Sequence, residues 1–129
     1  MKSIFVFLFV LIADQVTKYY AVLNMNWQAN AGISFGVYPG FPLWAFFALI
    51  SLLLLLKIIY RIKLDSTWSL FIGGMCGNLI DRIRFGYVID WISVPFPFIG
   101  RLYMNIADVA LIMGFMCFTI IYIKNSSRE

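Results

Sequence analysis

Residues 4–21 have the sequence IFVFLFVLIADQVTKYYA, a long apolar stretch that contains one acid, Asp14, and one base, Lys18. At about 1.5 Å per residue, a helix of this length covers roughly 27 Å, close to the hydrocarbon thickness of a bilayer. An extended backbone would leave its polar groups unpaired in lipid, so the stretch is predicted to be a membrane-spanning helix. Lys2 and the apolar run resemble the start of a signal peptide, but no small-residue cleavage site follows, and we expect the helix to be retained.

The composition of the whole chain is typical of a membrane protein. Of its 129 residues, 63% are hydrophobic and 12% are charged, which is about half the charged fraction of a soluble domain. A domain this small cannot bury so much apolar surface in its own interior, so part of that surface must face lipid. We therefore predict a single all-α integral membrane domain over residues 1–129, with four transmembrane helices at about 4–21, 43–62, 66–83 and 106–123.

Basic residues near the ends of the predicted helices indicate their orientation, because cytoplasmic loops are enriched in Lys and Arg. With four crossings, the basic residues at both ends of the chain and between the second and third helices fall on one side. Both termini are therefore expected in the cytoplasm, and loops 22–42 and 84–105 on the outer side, where Arg84 and Arg101 are exceptions. The cytoplasmic basic residues are Lys2, Lys57, Arg61, Lys63, Lys124 and Arg128.

The residues that the chain lacks exclude several classes of function. It contains no histidine, which removes Ser–His and Cys–His nucleophile pairs and the usual zinc sites. Its ten basic residues are scattered and form no patch typical of nucleic-acid binding. Cys76 and Cys117 lie in apolar stretches and are predicted to be packing residues rather than a disulfide. No cofactor or metal is expected.

Four aspartates lie in or near the predicted helices, where a carboxylate costs at least about 2.5–3.5 kcal/mol on insertion scales. Asp14 precedes Lys18 by four residues, the favourable order for a helical ion pair, and we expect a structural pair with the ammonium group directed outward. Asp81 shares a helical face with Asn78 and Arg82, which favours a buried structural network. The predicted topology brings all four acids to the outer side of the membrane: Asp14, Asp81, Asp90 and Asp108.

Asp90 and Asp108 differ from the other two because no basic residue lies within three positions of either one. Asp90 lies in an apolar and aromatic segment, and Asp108 begins the fourth helix three residues after Asn105. A solvated loop acid and a first-turn acid favoured by the helix dipole are the structural alternatives. If the two carboxyl groups meet, they share a proton, so that one can activate water while the other polarises a carbonyl. The pair predicts aspartic proteolysis.

Two glycine patterns suggest further hypotheses. Residues 32–36, GISFG, match the Gly-x-Ser-x-Gly nucleophile pattern, which requires a histidine base that this chain lacks. A pair of Ser34 with Lys18 stays open as an alternative nucleophile, but a tight turn that approaches a ligand is favoured for these glycines. Gly73 and Gly77 form a Gly-x-x-x-Gly step, which predicts the close approach of a neighbouring helix.

Five segments of the chain occur in an order that resembles one family. They are DQVTK at 14–18, NAGISFG at 30–36, GGMCGNLIDR at 73–82, VIDWI at 88–92 and NIAD at 105–108. Together they resemble the bacterial lipoprotein signal peptidases, the signal peptidase II family, over nearly the whole chain. The resemblance implies a four-helix aspartic protease of the bacterial cytoplasmic (inner) membrane, with its active site near the extracytoplasmic face. Such enzymes cut prolipoproteins on the N-terminal side of a diacylglyceryl-modified cysteine.

The resemblance also implies residue roles and partners. Asp90 and Asp108 match the catalytic pair by their positions in the motifs. The expected partners are diacylglyceryl-modified prolipoproteins, membrane lipid and the antibiotic globomycin, which occupies the same pocket in this family, whereas nucleic acid is not expected. The residues that match positions shaping or supporting the pocket are Asp14, Lys18, Asn30, Gly32, Asn78, Asp81, Arg82 and Asn105.

The chain departs from the family in one segment. Between the first helix and Asn30 the family usually carries a longer insertion, whereas only residues 22–29 are present here. We therefore expect a small, reduced β-structured cradle outside the membrane. Residues 86–104, a predicted loop rich in proline and aromatic residues, are expected to lie along the membrane interface as a mobile flap over the substrate.

Two other classes of function stay open at the level of sequence. Membrane aspartates also relay protons, so a proton-linked carrier or channel is one alternative. A non-catalytic assembly protein, whose polar network only holds helices together, is another.

Overall fold

The computed structural model describes residues 2–31, 66–98 and 100–126. Within these ranges there are three helices, α1 (Lys2–Asn24), α2 (Ser66–Phe85) and α3 (Ile106–Ser126). They overlap the first, third and fourth predicted helices. The second predicted helix, at about 43–62, lies outside the described residues, as does the GISFG segment at 32–36. Four short strands complete the described part: β1 (Gln28–Asn30), β2 (Val88–Asp90), β3 (Ile92–Phe96) and β4 (Gly100–Met104).

The surface of α1 and α3 is strongly apolar. Phe9 on α1 is 73% exposed and Phe115 on α3 is 64% exposed, whereas the buried residues are mostly small or polar. This is the reverse of a water-soluble core and is what a lipid-facing surface requires. By length and composition, α1 is the one described helix that is long and apolar enough to cross a membrane, and α3 contains a shorter apolar stretch, Ile106–Ile121.

Helix α2 packs between α1 and α3, and its glycines allow the close approach. A Cβ atom on Gly73 would lie 3.0 Å from the side chain of Val10 on α1. One on Gly77 would lie 2.6 Å from Asp14 Oδ2, so the predicted Gly-x-x-x-Gly step does face a neighbouring helix. A Cβ atom on Gly74, which the sequence analysis did not single out, would lie 2.5 Å from the backbone oxygen of Ala107 on α3.

The strands form two small antiparallel sheets. Strand β1 pairs with β2, in the register Gln28 with Asp90 and Asn30 with Val88. Because α1 continues to Asn24, only residues 25–27 connect it to β1. Residues 22–29 therefore supply the end of a helix and most of one strand, which is consistent with the small cradle that we expected.

Residues 86–104, which we predicted to form a loop, contain three strands, so the loop prediction is wrong, while the interfacial position and mobility of this segment stay predictions. It contains β2 followed by a hairpin in which β3 pairs with β4, from Ile92 with Met104 to Phe96 with Gly100. The two prolines favoured a loop, but proline is tolerated in an edge strand, and a two-stranded hairpin has only edges. Positive φ angles at Phe98 (73°) and Gly100 (85°) turn the chain at its tip.

Candidate active site

Eight polar side chains meet where α1, α2, β1, β2 and the start of α3 come together. Each is at most 7% exposed. All eight had been predicted as site residues, and the structure brings them into one connected group, which we call the polar cluster. Its members are Asp14, Lys18, Asn30, Asn78, Asp81, Asp90, Asn105 and Asp108.

Lys18 lies at the centre of one half of the polar cluster. Its Nζ atom is 2.8 Å from Asp14 Oδ2 and 2.8 Å from Asp81 Oδ2, and it donates a hydrogen bond to Asn78 Oδ1 at 3.1 Å. The ion pair with Asp14 had been predicted, but the outward direction of the ammonium group was wrong, because Lys18 is only 2% exposed. Two carboxylates and an amide oxygen satisfy its three donors inside the protein, so the side chain has no need of the interface.

The two acids that pair with Lys18 each also accept a hydrogen bond from a backbone N–H group. Asp14 Oδ1 accepts a hydrogen bond from the backbone N–H of Ala107 at 2.9 Å, and Asp81 Oδ2 accepts one from the backbone N–H of Ile89 at 3.1 Å. Ala107 directly precedes Asp108, and Ile89 directly precedes Asp90. The first pair of aspartates thus fixes the backbone that carries the second pair.

Gln15 is a member of this network that the sequence analysis missed. Its Nε2 atom lies within hydrogen-bond distance of Asp14 Oδ2 (3.2 Å), Asp81 Oδ1 (3.1 Å) and the backbone oxygen of Gly77 (3.2 Å). It therefore links α1 to α2 beside the ion pairs. A signal was present, because an uncharged amide within an apolar span also needs internal partners.

Asp90, on the last residue of β2, is surrounded by amide donors. Asn30 on the paired strand β1 donates to Asp90 Oδ2 at 2.9 Å, and Asn105 Nδ2 donates to Asp90 Oδ1 at 2.6 Å. The strand pairing is compatible with the first contact: Asn30 lies opposite Val88, two residues before Asp90 and on the same face, so its side chain reaches Asp90 diagonally across the pair. Asn30 had been assigned to the site by resemblance alone.

Asp108 lies in the first turn of α3 and forms a reciprocal cap with Asn105. The Asp108 backbone N–H donates to Asn105 Oδ1 at 2.9 Å, and the Asn105 backbone N–H donates to Asp108 Oδ2 at 3.3 Å. This is the capping-box arrangement, in which the residue before the helix and an acid in its first turn satisfy each other's N–H groups. Asn78 Nδ2 donates to the remaining oxygen, Asp108 Oδ1, at 2.8 Å.

Asn105 connects the two carboxylates of the second pair. It donates to Asp90 through its side chain and to Asp108 through its backbone, so both acids lie within hydrogen-bond distance of one residue. Its side chain also donates to Asn78 Oδ1 at 3.1 Å. Because that oxygen also faces Lys18, the NH₂ group of Asn78 must point to Asp108.

The environment of Asp90 disfavours its charge. The pKa of Asp90 is raised from 3.8 to about 6, chiefly by burial and also by the neighbouring Asp108 carboxylate. Hydrogen bonds from Asn30 and Asn105 and the charge of Lys18 act in the opposite direction. A carboxyl group with a pKa near 6 can hold or release a proton close to neutral pH, which suits acid–base chemistry.

The remaining predicted residues contribute less to the described geometry. Arg82 is partly exposed, and its Nη1 atom lies 3.4 Å from the backbone oxygen of Asn78. Gly32 and Ser34 fall outside the described residues. Cys76 and Cys117 are free thiols, as predicted. Within ranges 2–31, 66–98 and 100–126, no group of three acidic, cysteine or histidine side chains is arranged to hold a metal ion.

Comparisons with known proteins point to a single family. The family model described as signal peptidase (SPase) II matches residues 6–124. A lipoprotein signal peptidase of Thermodesulfovibrio yellowstonii is 34% identical, with 90% of each chain covered. One from Staphylococcus aureus is 30% identical over 98% of this chain and 91% of its own.

Solved structures support the same relationship at the level of the fold. A bacterial membrane enzyme solved by the in meso method at 2.3 Å resolution superposes with a TM-score of 0.81 at 28% identity. That superposition covers 99% of this chain and 91% of the other. A second bacterial membrane enzyme, solved at 1.9 Å, gives a TM-score of 0.75 at 29% identity, covering 95% and 93% of the two chains.

Proposed function

This chain belongs to the signal peptidase II family, and from that premise we propose that Asp90 and Asp108 are its catalytic pair. The family comprises aspartic proteases of membranes, and its activity, the removal of signal peptides from prolipoproteins, is the activity of this chain. A proton-linked carrier and a non-catalytic assembly protein are not favoured by this membership.

The observation that carries the assignment is the position of Asn105 between the two acids. Asp14 and Asp81 share the single charge of Lys18 in two ion pairs of 2.8 Å, whereas Asp90 and Asp108 both lie within hydrogen-bond distance of Asn105. Buried acids with a perturbed pKa concentrate at functional sites, and the pKa of Asp90 is raised to about 6. Asp90 and Asp108 therefore carry the chemistry, and Asp14 and Asp81 support it.

Two carboxyl groups held beside one residue share a proton, and in the steps that follow Asp90 is the member that holds it. Asp108 removes a proton from a water molecule as the water oxygen attacks the scissile carbonyl carbon. Asp90 donates its proton to the carbonyl oxygen and stabilises the tetrahedral intermediate. When the C–N bond breaks, Asp108 passes its proton to the leaving nitrogen, and the hydroxyl proton returns to Asp90 as the carbonyl reforms.

The remaining features of the proposal come from the family resemblance. The cut lies on the N-terminal side of a diacylglyceryl-modified cysteine, and globomycin competes for the same pocket. Both termini lie in the cytoplasm and the polar cluster lies near the outer face. Fusions test this topology: alkaline phosphatase, which is active outside the cytoplasm, should be active when fused after Ala31 and inactive at the C-terminus.

Asp90→Asn and Asp108→Asn, each in purified protein, test the catalytic pair. Either change should abolish cleavage of a diacylglyceryl-cysteine precursor, with the cut site mapped by mass, and leave the helical circular dichroism unchanged. Ser34→Ala is the matched control and should retain full activity. Cleavage by either asparagine variant would reject the pair, and an inactive Ser34→Ala would reopen the serine–lysine alternative.

A further inference from the structure

The β3–β4 hairpin has two chemically different faces. Directly opposite residues of an antiparallel pair share a face, and alternate residues along a strand lie on opposite faces. Ser93 pairs with Tyr103 and Pro95 with Arg101, which makes one face partly polar. A hydrogen bond of 2.6 Å from Arg101 Nε to Ser93 Oγ crosses that face. The other face is entirely apolar: Ile92, Val94, Phe96, Leu102 and Met104.

The apolar face becomes more exposed toward the tip. Val94 is 38% exposed, Phe96 is 50% exposed and Phe98, in the turn, is fully exposed. A phenylalanine at a φ angle of 73° adopts a backbone conformation that is unusual for a non-glycine residue. Large exposed apolar side chains that adjoin one another mark a contact surface in proteins.

The position of the hairpin indicates which partner covers this surface. Strand β4 ends at Met104 and α3 begins at Ile106, so the hairpin projects from the end of a helix whose exposed residues from Ile112 to Ile123 are apolar. The end of a membrane helix lies at the boundary between hydrocarbon and headgroups, where aromatic side chains are enriched. Residues 91–107 contain no acid, and Arg101 is their one charged side chain. That charge complements an anionic lipid surface.

We propose that the apolar face and tip of the hairpin insert into the outer leaflet of the bilayer, with Phe96 and Phe98 among the acyl chains. Arg101, on the opposite face, then lies at the level of the lipid headgroups. Moving each phenylalanine side chain from water into the acyl chains lowers the free energy of the protein. In water, the exposed tip would keep the unfavourable hydration of these rings. The hairpin is therefore an anchor that holds the outer end of α3, and the strand that carries Asp90, at a fixed depth.

Spin labels at single cysteines test the depth of the two faces. In a background with Cys76→Ala and Cys117→Ala, labels replace Phe98, Phe96 or, as the matched control on the polar face, Ser93. The protein is reconstituted in vesicles of phosphatidylcholine and phosphatidylglycerol. Collision rates are compared for oxygen, which concentrates in lipid, and for a water-soluble nickel chelate. Labels at Phe96 and Phe98 should favour oxygen, and the label at Ser93 should favour the chelate.

Three outcomes would overturn the proposal. Preference for the chelate at all three positions places the hairpin in water. If the label at Phe98 is protected from the chelate only when a lipidated precursor is bound, the surface is a flap over substrate. If the protection disappears on dilution into excess lipid, the surface contacts a second copy of the chain. Cleavage by the same labelled proteins is measured in parallel, so failure of the anchor is distinguished from failure of the catalytic assignment.

Discussion

Lys18 is the residue through which the polar cluster holds together. Its ammonium group contacts one acid that fixes the backbone before Asp108 and another that fixes the backbone before Asp90. It also orients Asn78, which donates to Asp108. One cation thus acts on both members of the proposed catalytic pair without touching either, which makes Lys18 a positioning residue.

Replacing Lys18 tests this arrangement. Lys18→Met leaves Asp14 and Asp81 buried without a cation, and removing one partner of a buried ion pair typically costs about 3–5 kcal/mol. Asp14→Asn combined with Lys18→Met leaves the same net charge of −1 that the wild-type trio carries. Thermal unfolding in detergent should therefore show the double variant to be more stable than Lys18→Met alone. Equal or lower stability of the double variant would contradict the role of charge balance.

The raised pKa of Asp90 predicts a pH-dependent stability. Because the folded-state pKa of about 6 lies above the ordinary 3.8, the contribution of Asp90 is fully present below pH 3.8 and is lost as the pH rises through about 6. The loss is on the order of 3 kcal/mol if the shift is expressed in full. Subtracting the unfolding temperatures of Asp90→Asn from those of the wild type between pH 4 and 8 isolates this effect. The difference should fall between pH 4 and about pH 6 and stay constant above it. A difference that does not vary with pH would contradict the prediction.

Asn105 caps helix α3 and donates a hydrogen bond to Asp90, and two substitutions separate these roles. Serine caps a helix nearly as well as asparagine but has no amide to donate to Asp90. Both variants lose the hydrogen bonds of the amide, but only Asn105→Ala also loses the cap, so it should be less stable than Asn105→Ser by about 0.5–2 kcal/mol. Both should lower kcat by about 10–100-fold with little change in KM, since Asp90 becomes a carboxylate when it donates its proton and a hydrogen bond to a charged group contributes about 1.5–3 kcal/mol. A wild-type kcat for Asn105→Ser would show that the amide does not position Asp90.

At the scale of secondary structure, the contact between α2 and α3 decides the position of the first turn of α3. Gly74 leaves room for the backbone oxygen of Ala107, and Gly77 leaves room for the carboxylate of Asp14. A side chain at either position would occupy that space. The three described helices overlap predicted apolar spans, although by length and composition only α1 among them is long and apolar enough to cross a membrane. Which glycines face which neighbour could not be predicted, because the rotation of α2 depends on the polar contacts of Asn78 and Asp81.

Gly74→Ala tests the closest of these contacts. The new methyl group would lie 2.5 Å from the backbone oxygen of Ala107, so α3 must move, and overpacking of this kind costs about 1–3 kcal/mol. Gly114→Ala is the matched control, because the nearest neighbours of its methyl group would be ring atoms of Phe71 at 3.1–3.3 Å rather than backbone atoms at 2.5 Å. Gly74→Ala should lose more stability and more cleavage activity than Gly114→Ala. Equal losses of activity would show that the position of Ala107 does not matter to the site.

At the scale of the whole molecule, the sequence predicted the site more completely than the connections around it. Seven residues of the polar cluster were identified because polar groups in an apolar chain need partners, Asn30 was identified by the family motif alone, and the motifs assigned the roles. The inward direction of the Lys18 ammonium group, the hydrogen bonds of Gln15 and the hairpin at 92–104 were not predicted. The first two depend on contacts between segments that are distant in sequence, such as Lys18 with Asp81, which a local pattern does not contain. The hairpin is local, but its two prolines favoured a loop.

The pairing of Lys18 has a consequence for how the chain enters the membrane during synthesis. Asp14 and Lys18 lie one turn apart, so residues 4–21 of α1 can leave the translocation channel as an electrically neutral segment. Asp81 on α2 meets its cation only when α2 reaches α1. Its insertion is therefore coupled to a helix that was made earlier. In a cell-free insertion assay, α2 should integrate more efficiently when wild-type α1 precedes it than when α1 carries Lys18→Met, and equal integration would rule out this order of assembly.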